Sequence, residues 1–173
     1  MSSAYQNFLK HYLHPDQNDR RDGTPLDLLD KLSPEEKLNA EKELLKRLDG
    51  RDSWIIRGLG HFKSKAALPK LYELLQRKLG RAYRAIIATA IWNICNDEEM
   101  LKVVLKSSYY SSFDEISPYF EFYMIDVVLC LAQFPQKEAR LRLEEIALNE
   151  PYLISSNAKD AINYRRNLYN IYD

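Results

Sequence analysis

Glycine, proline and cysteine are scarce in this chain of 173 residues, which has 5 glycines, 7 prolines and 2 cysteines. A sandwich or barrel of short strands needs a turn residue about every 8–12 positions, so the scarcity argues against such a fold. Cys95 and Cys130 do not have the paired spacing of a metal site or a disulfide framework. We therefore interpret both as thiols in a reducing compartment.

Long apolar runs are also missing. No segment approaches the roughly 20 apolar residues that span a bilayer, and the N-terminus has neither the basic start nor the apolar stretch of a signal peptide. These absences predict a cytoplasmic protein that does not enter a membrane. The chain has 25 basic and 25 acidic residues, so it lacks the net basicity typical of nucleic-acid binders.

Charge is nevertheless divided between the two halves of the chain. Residues 1–86 have 17 basic and 12 acidic side chains, a net charge of +5, and residues 87–173 have 8 and 13, a net charge of −5. Apolar residues make up 46% of the chain, which is too many for a disordered protein. The length suits one domain covering residues 1–173.

The first 48 residues predict a set of N-terminal helices. Apolar residues recur at helical spacing from Ser3 to His14, where Pro15 marks the end of the helix. A polar break follows, and residues 25–32 predict a short helix. The next helix is predicted over Pro34–Leu48, because Ser33 is a good N-cap and Glu36 completes the spacing of a capping box.

Residues 52–150 contain an internal repeat. The segments 52–75, 84–105 and 124–148 superpose at offsets of 32 and 40 residues. Four columns then show the i, i+3, i+4, i+7 stripe of an amphipathic helix. The columns are Ile55, Ile87 and Val127; Gly58, Ala90 and Cys130; Leu59, Ile91 and Leu131; and Phe62, Ile94 and Phe134.

After a short turn, each segment continues with a second apolar stripe, in which Leu71, Val103 and Leu143 are equivalent. Each unit is therefore predicted to be a helix, a tight turn and a helix. One such pair cannot bury its own apolar face, so the pairs must stack on one another. The last segment, 151–173, matches the columns poorly, and we predict a terminal helix over Ser155–Tyr172 that caps the stack.

The repeated unit resembles a HEAT repeat, on the evidence of WIIRGLGHFKSKAALPKLYELL and its two weaker echoes. The resemblance covers about 100 residues and implies an all-α fold, a short right-handed α-solenoid of stacked antiparallel pairs with about 8–10 helices. HEAT-like repeats serve many functions, so the resemblance implies a shape and no particular activity.

Sequence signatures of catalysis are absent: the chain has no nucleophile elbow, no P-loop and no HExxH motif. We therefore expect no catalytic residue, no cofactor and no metal. His11 and His14 lie three residues apart and share one face of the first helix, where they could be metal ligands or solvated side chains.

A polar column lies just beyond the apolar ones, formed by His61, Asn93 and Gln133. These side chains are candidates for a concave binding face, although the same residues could instead satisfy carbonyls near the helix ends. Trp92 precedes Asn93 and could anchor a partner or fill a gap between helices.

Basic residues cluster between positions 57 and 84. The run consists of Arg57, Lys63, Lys65, Lys70, Arg77, Lys78, Arg81 and Arg84. All but Arg57 are candidate phosphate contacts in an alternative function, nucleic-acid binding or DNA-base processing, with Asp52 or Asp126 supplying an acid. The other interpretation is a solvated face that stabilises helix C-termini.

The segment from Ser107 to Gln136 has many aromatic and acidic residues and no Lys or Arg. Its aromatic residues are Tyr109, Tyr110, Phe113, Tyr119, Phe120, Phe122 and Tyr123, and its acids are Asp114, Glu115, Glu121 and Asp126. Tyrosines give a stiff contact area with a polar tip, and acids beside them attract a basic partner. The same aromatics could instead pack this insertion onto the stack.

The sequence thus predicts a protein–protein interaction module that binds a basic protein through this segment. An immunity- or antitoxin-type inhibitor is one concrete form of such a module, and a structural adaptor is another. Nucleic acid is the less favoured partner because the net charge is zero.

Overall fold

The computed structural model describes residues 2–17, 19, 23–110 and 117–169, with side chains up to Arg165. Every regular element in these ranges is helical, and no strand occurs among them. The predicted all-α class is therefore confirmed. None of the described helices combines the length and the apolar character needed to cross a bilayer.

The N-terminal part forms short helices before the repeat begins. Helix α1 covers Ser3–Asn7 and continues as a π-helix over Phe8–Leu13, followed by α2 at Asp27–Asp30 and α3 at Pro34–Lys46. The capping box at the start of α3 is present. Two predictions were inexact, since α3 ends two residues earlier than expected and the first helix is partly π-helical.

The π-helical stretch packs on the rest of the fold through aromatic side chains. Its last turn is widened, because the His14 N–H bonds to the Leu9 carbonyl five residues earlier. Tyr12 is buried and donates a hydrogen bond of 2.6 Å to the Trp54 carbonyl. This bond joins the first helix to the start of the repeat.

The described residues from 53 to 169 contain seven α-helices. They are α4 (Ser53–His61), α5 (Leu68–Leu75), α6 (Arg81–Cys95), α7 (Glu99–Ser108), α8 (Phe120–Leu131), α9 (Lys137–Asn149) and α10 (Tyr152–Tyr169), with a single 3₁₀ turn at Lys65–Ala67 before α5. The terminal helix was predicted to begin at Ser155 and begins three residues earlier.

Helix α6 lies between α4 and α8, and α8 in turn packs against α10. The four predicted apolar columns supply this packing: all of their residues are buried except Phe62, which is half-buried. Close approach of α4 and α6 depends on Gly60, because a Cβ there would lie 2.9 Å from the Ala90 Cα. Small residues at these contacts let the backbones approach.

Two buried arginines tie the later helices together. Arg142 of α9 donates to the side chain and the carbonyl of Ser108 at the end of α7. Arg165 of α10 donates to the carbonyls of Phe134 and Gln136 in the turn between α8 and α9. Since each guanidinium meets backbone carbonyls, these bonds satisfy groups that would otherwise be buried without partners.

Candidate functional site

An exposed aromatic surface marks the start of α8. Tyr119 is 60% exposed, Phe122 63% and Tyr123 49%. The spacing i, i+3, i+4 puts the three rings on one side of the helix, and the ring centroids of Tyr119 and Tyr123 are 6.3 Å apart. We call these three residues the aromatic surface.

The other two described tyrosines of this segment make contacts within the fold. Tyr109 is exposed, and the Arg142 guanidinium lies 4.1 Å from the centre of its ring. Tyr110 is half-buried: its hydroxyl donates to the Glu150 carboxylate, and its ring meets Phe120 edge-on at 4.6 Å. Tyr110 was predicted as a binding residue, and in the structure its hydroxyl and its ring both have partners within the fold.

Two depressions flank the pair formed by Tyr110 and Phe120. An apolar hollow of about 400 Å³ lies on one side, between the starts of α6 and α8, and Tyr83, Tyr123 and Met124 line it. An acidic hollow of about 480 Å³ lies on the other side, where Glu121 and Glu150 are part of the lining. Aromatic side chains, an apolar depression and two carboxylates therefore meet at the start of α8.

The four predicted acids of this segment have different outcomes. Glu121 is exposed and lines the acidic hollow, on a different side of α8 from the aromatic surface. Phe113, Asp114 and Glu115, which completed the predicted binding set, lie outside the described residues. Asp126 is only half-exposed and forms an ion pair of 2.5 Å with Arg57.

The ion pair between Arg57 and Asp126 joins α4 to α8. Burial raises the pKa of the Asp126 carboxyl, although the nearby Arg57 guanidinium acts in the opposite direction. Asp52, the other acid considered for catalysis, accepts the Trp54 N–H and caps α4. Both acids therefore have structural partners.

The predicted polar column converges on one cavity. His61, Asn93 and Gln133 all line a depression of about 530 Å³ that runs across α4, α6, α8 and α10. His61 also forms a hydrogen bond of 2.7 Å with Asp30. Trp92 is not part of the lining, and its ring lies 5.1 Å from that of Phe134. This contact fits the interpretation of Trp92 as a residue that fills a gap between helices.

Helix α10 contributes three polar residues to this cavity that the sequence did not predict, namely Asn157, Asp160 and Tyr164. They were missed because α10 does not match the column pattern, so no alignment placed them beside the others. Glu150 of the acidic hollow was missed for a similar reason. It is 40 residues from Tyr110, and only the packing of the chain brings the two together.

The residues of the basic run lie at separate places in the structure. Lys70 and Arg77 both pair with Glu73, while Lys63, Lys65 and Lys78 are exposed elsewhere. Arg81 and Arg84 line a separate hollow, which they share with two lysines of α7 that were not predicted, Lys102 and Lys106.

Histidines and cysteines do not form a metal centre. His11 bonds to Asp19, whereas His14 bonds to Arg47, so the two rings have different partners. No group of three or more His, Cys, Asp or Glu side chains within the described residues is placed to hold a metal ion. Burial raises the pKa of the Cys130 thiol, which keeps it protonated.

Comparison with protein-family models, with curated proteins and with solved structures gives no significant match. The HEAT-like resemblance accordingly depends on the internal repeat, and no residue takes a role from a relative.

Proposed function

We propose that this protein is a non-catalytic binding module that holds a basic protein against the aromatic surface and the acidic hollow. One observation carries the proposal: three aromatic side chains at the start of α8 share one side of the helix and are about half-exposed or more, and the exposed Glu121 lines the acidic hollow nearby. Exposure of large apolar rings to water is unfavourable, and contact with a partner surface would remove the rings from water.

The proposed scaffold is a short α-solenoid of HEAT-like pairs. The order of packing supports it, because α4, α6, α8 and α10 contact one another in chain order, and α5, α7 and α9 lie between them in sequence. In such a stack every pair contacts only its neighbours, and the surface remains available for binding along its length.

The chemistry of the surface favours a basic partner. Aromatic residues in interfaces contribute most of the binding energy when they enter a partner's pocket, and charged groups around them mainly raise the association rate. No Lys or Arg occurs between Ser107 and Gln136 in the sequence, and the basic groups that approach this segment, Arg81 and Arg142, come from other helices. An immunity- or antitoxin-type inhibitor of a basic enzyme in the cytoplasm would use a surface of this kind.

Removing two rings of the aromatic surface is expected to weaken partner binding. The double variant Phe122→Ala and Tyr123→Ala should raise the dissociation constant at least about tenfold, since truncation of a central aromatic anchor costs about 1–2 kcal/mol or more. The partner is first captured from host lysate after nuclease treatment, and its affinity for the purified chain is then measured by calorimetry.

The matched control is Leu141→Ala with Leu148→Ala, which removes two apolar side chains of α9 that are 52% and 82% exposed. It should leave the affinity unchanged. Equal losses in both double variants would exclude a specific role for the aromatic surface. Capture that disappears with nuclease would instead favour the alternative of nucleic-acid binding through the basic run.

Neutralising the acidic hollow is expected to slow association. Glu121→Gln with Glu150→Gln should reduce the association rate constant about three- to tenfold at low ionic strength, with a smaller effect on dissociation, because charges at an interface act mainly on the encounter. Surface plasmon resonance at several salt concentrations measures both rates.

Glu98→Gln with Glu138→Gln removes the same charge from exposed sites at the starts of α7 and α9, outside the acidic hollow. If that control slows association as much as the hollow variant does, the net charge is responsible, and the position of the acids is not.

A further inference from the structure

A cationic hollow lies between the start of α6 and the second half of α7. Arg81, Arg84, Lys102 and Lys106 surround this depression of about 450 Å³. Two of these side chains come from the first turns of one helix and two from the next, so the cluster exists only in the folded chain. We call these four residues and the depression between them the cationic hollow.

The described contacts of these side chains include one carboxylate, and the Arg81 guanidinium donates to the Tyr109 carbonyl. Lys102 pairs with Glu99, but both side chains are about two-thirds exposed or more, where such a pair has little effect on the local potential. Arg84 donates to the Leu75 carbonyl, and Lys106 forms no ion pair within the described part of the chain. A backbone carbonyl positions a guanidinium without neutralising it.

The start of α6 adds to the positive potential. Its N-cap is Gly80, which makes no side-chain capping bond, and its first turn has no acidic residue. The N-terminus of a helix has a partial positive charge, which favours Asp or Glu in the first turn. Here Arg81 occupies that turn and Arg84 follows, so both guanidinium groups lie at the positive end of the helix.

We infer that the cationic hollow binds a phosphate-bearing anion of about the size of pyrophosphate or a nucleoside diphosphate. Guanidinium groups match the geometry of phosphate oxygens in two-bond contacts, and lysines add point charges. Arg81 also lines the neighbouring apolar hollow beside Tyr83. A flat group attached to the phosphate would therefore reach aromatic side chains, as a nucleotide base requires. The phosphate contacts of this inference are separate from the protein-binding function proposed above, whereas the base would share the apolar hollow with Tyr123 of the aromatic surface.

The test is calorimetric titration of the full chain with inorganic pyrophosphate and with adenosine diphosphate at low ionic strength. Lys102→Gln with Lys106→Gln should raise both dissociation constants about tenfold, because two charge-assisted contacts are lost. Both lysines are exposed, so folding should be unaffected. Lys65→Gln with Lys78→Gln removes the same charge at exposed positions outside the cationic hollow and should change the constants less than about twofold.

Equal affinity for pyrophosphate and the nucleotide would support a site that recognises phosphate alone. Tighter binding of the nucleotide would support a site that extends to the apolar hollow. The inference would be overturned by the absence of binding to either compound, or by equal weakening in the two double variants. Binding of single-stranded DNA that depends on Lys102 and Lys106, without binding of pyrophosphate, would overturn it in favour of a nucleic-acid site.

Discussion

Replacing Phe134 by alanine is expected to lower the free energy of unfolding by about 3–5 kcal/mol, the range for removing a fully buried aromatic side chain. Phe134 is 0% exposed and lies in the turn after α8, where its ring contacts Trp92 of α6. The cavity left by the ring would lie between these helices. The loss would be a large fraction of the total free energy of unfolding, which is about 5–15 kcal/mol for a domain. Chemical denaturation followed by circular dichroism measures the change.

Phe122→Ala is the control, because it makes the same chemical change at an exposed position of the same region. Its unfolding free energy should remain within about 0.5 kcal/mol of the wild type. A loss below about 1 kcal/mol in the Phe134 variant would mean that the α6–α8 contact is not the packed core described here.

The second large effect concerns the buried arginine of α10. Arg165→Met keeps much of the side-chain volume but removes the donors to Phe134 and Gln136, so their carbonyls lose their partners and the free energy of unfolding should fall by about 2–4 kcal/mol. Arg165 is 2% exposed, so water does not replace these bonds without opening the contact. Thermal and chemical denaturation should both report the loss.

Arg77→Met is the matched control, since Arg77 is a surface residue whose carboxylate partner Glu73 also pairs with Lys70. The Arg77 variant should lose less than about 0.5 kcal/mol of unfolding free energy. If the Arg165 variant is as stable as this control, the guanidinium does not hold α10 against the turn between α8 and α9.

The two surfaces proposed here have opposite charge. The cationic hollow belongs to α6 and α7, whereas the aromatic surface and the acidic hollow belong to the start of α8 and the end of α9. This separation follows the charge division already visible between residues 1–86 and 87–173, although Lys102 and Lys106 belong to the acidic half. A partner protein and the phosphate of a ligand would therefore use different parts of the molecule, whereas a base attached to that phosphate would reach the apolar hollow that Tyr123 also lines.

Local sequence patterns were sufficient to predict the helices and their buried faces. The capping box at Ser33 and Glu36 is present, and the residues of the repeat columns such as Ile87 and Leu131 are buried. These features depend on residues three or four positions apart, which contact each other in any helix whatever the fold around it. The predicted polar column of His61, Asn93 and Gln133 lines one cavity, because equivalent positions on neighbouring helices that pack together face the same side.

Contacts between distant segments were decided only by the tertiary structure. Nothing near Tyr110 in the chain indicates that Glu150 binds it, and nothing near Arg81 indicates that Lys102 and Lys106 complete its hollow. The sequence by itself determined an all-α chain with apolar stripes, a tyrosine-rich acidic segment and a divided charge. The packing of the helices decided which of these side chains remain exposed and which become anchors, because burial depends on the neighbours that a helix acquires and not on its own pattern.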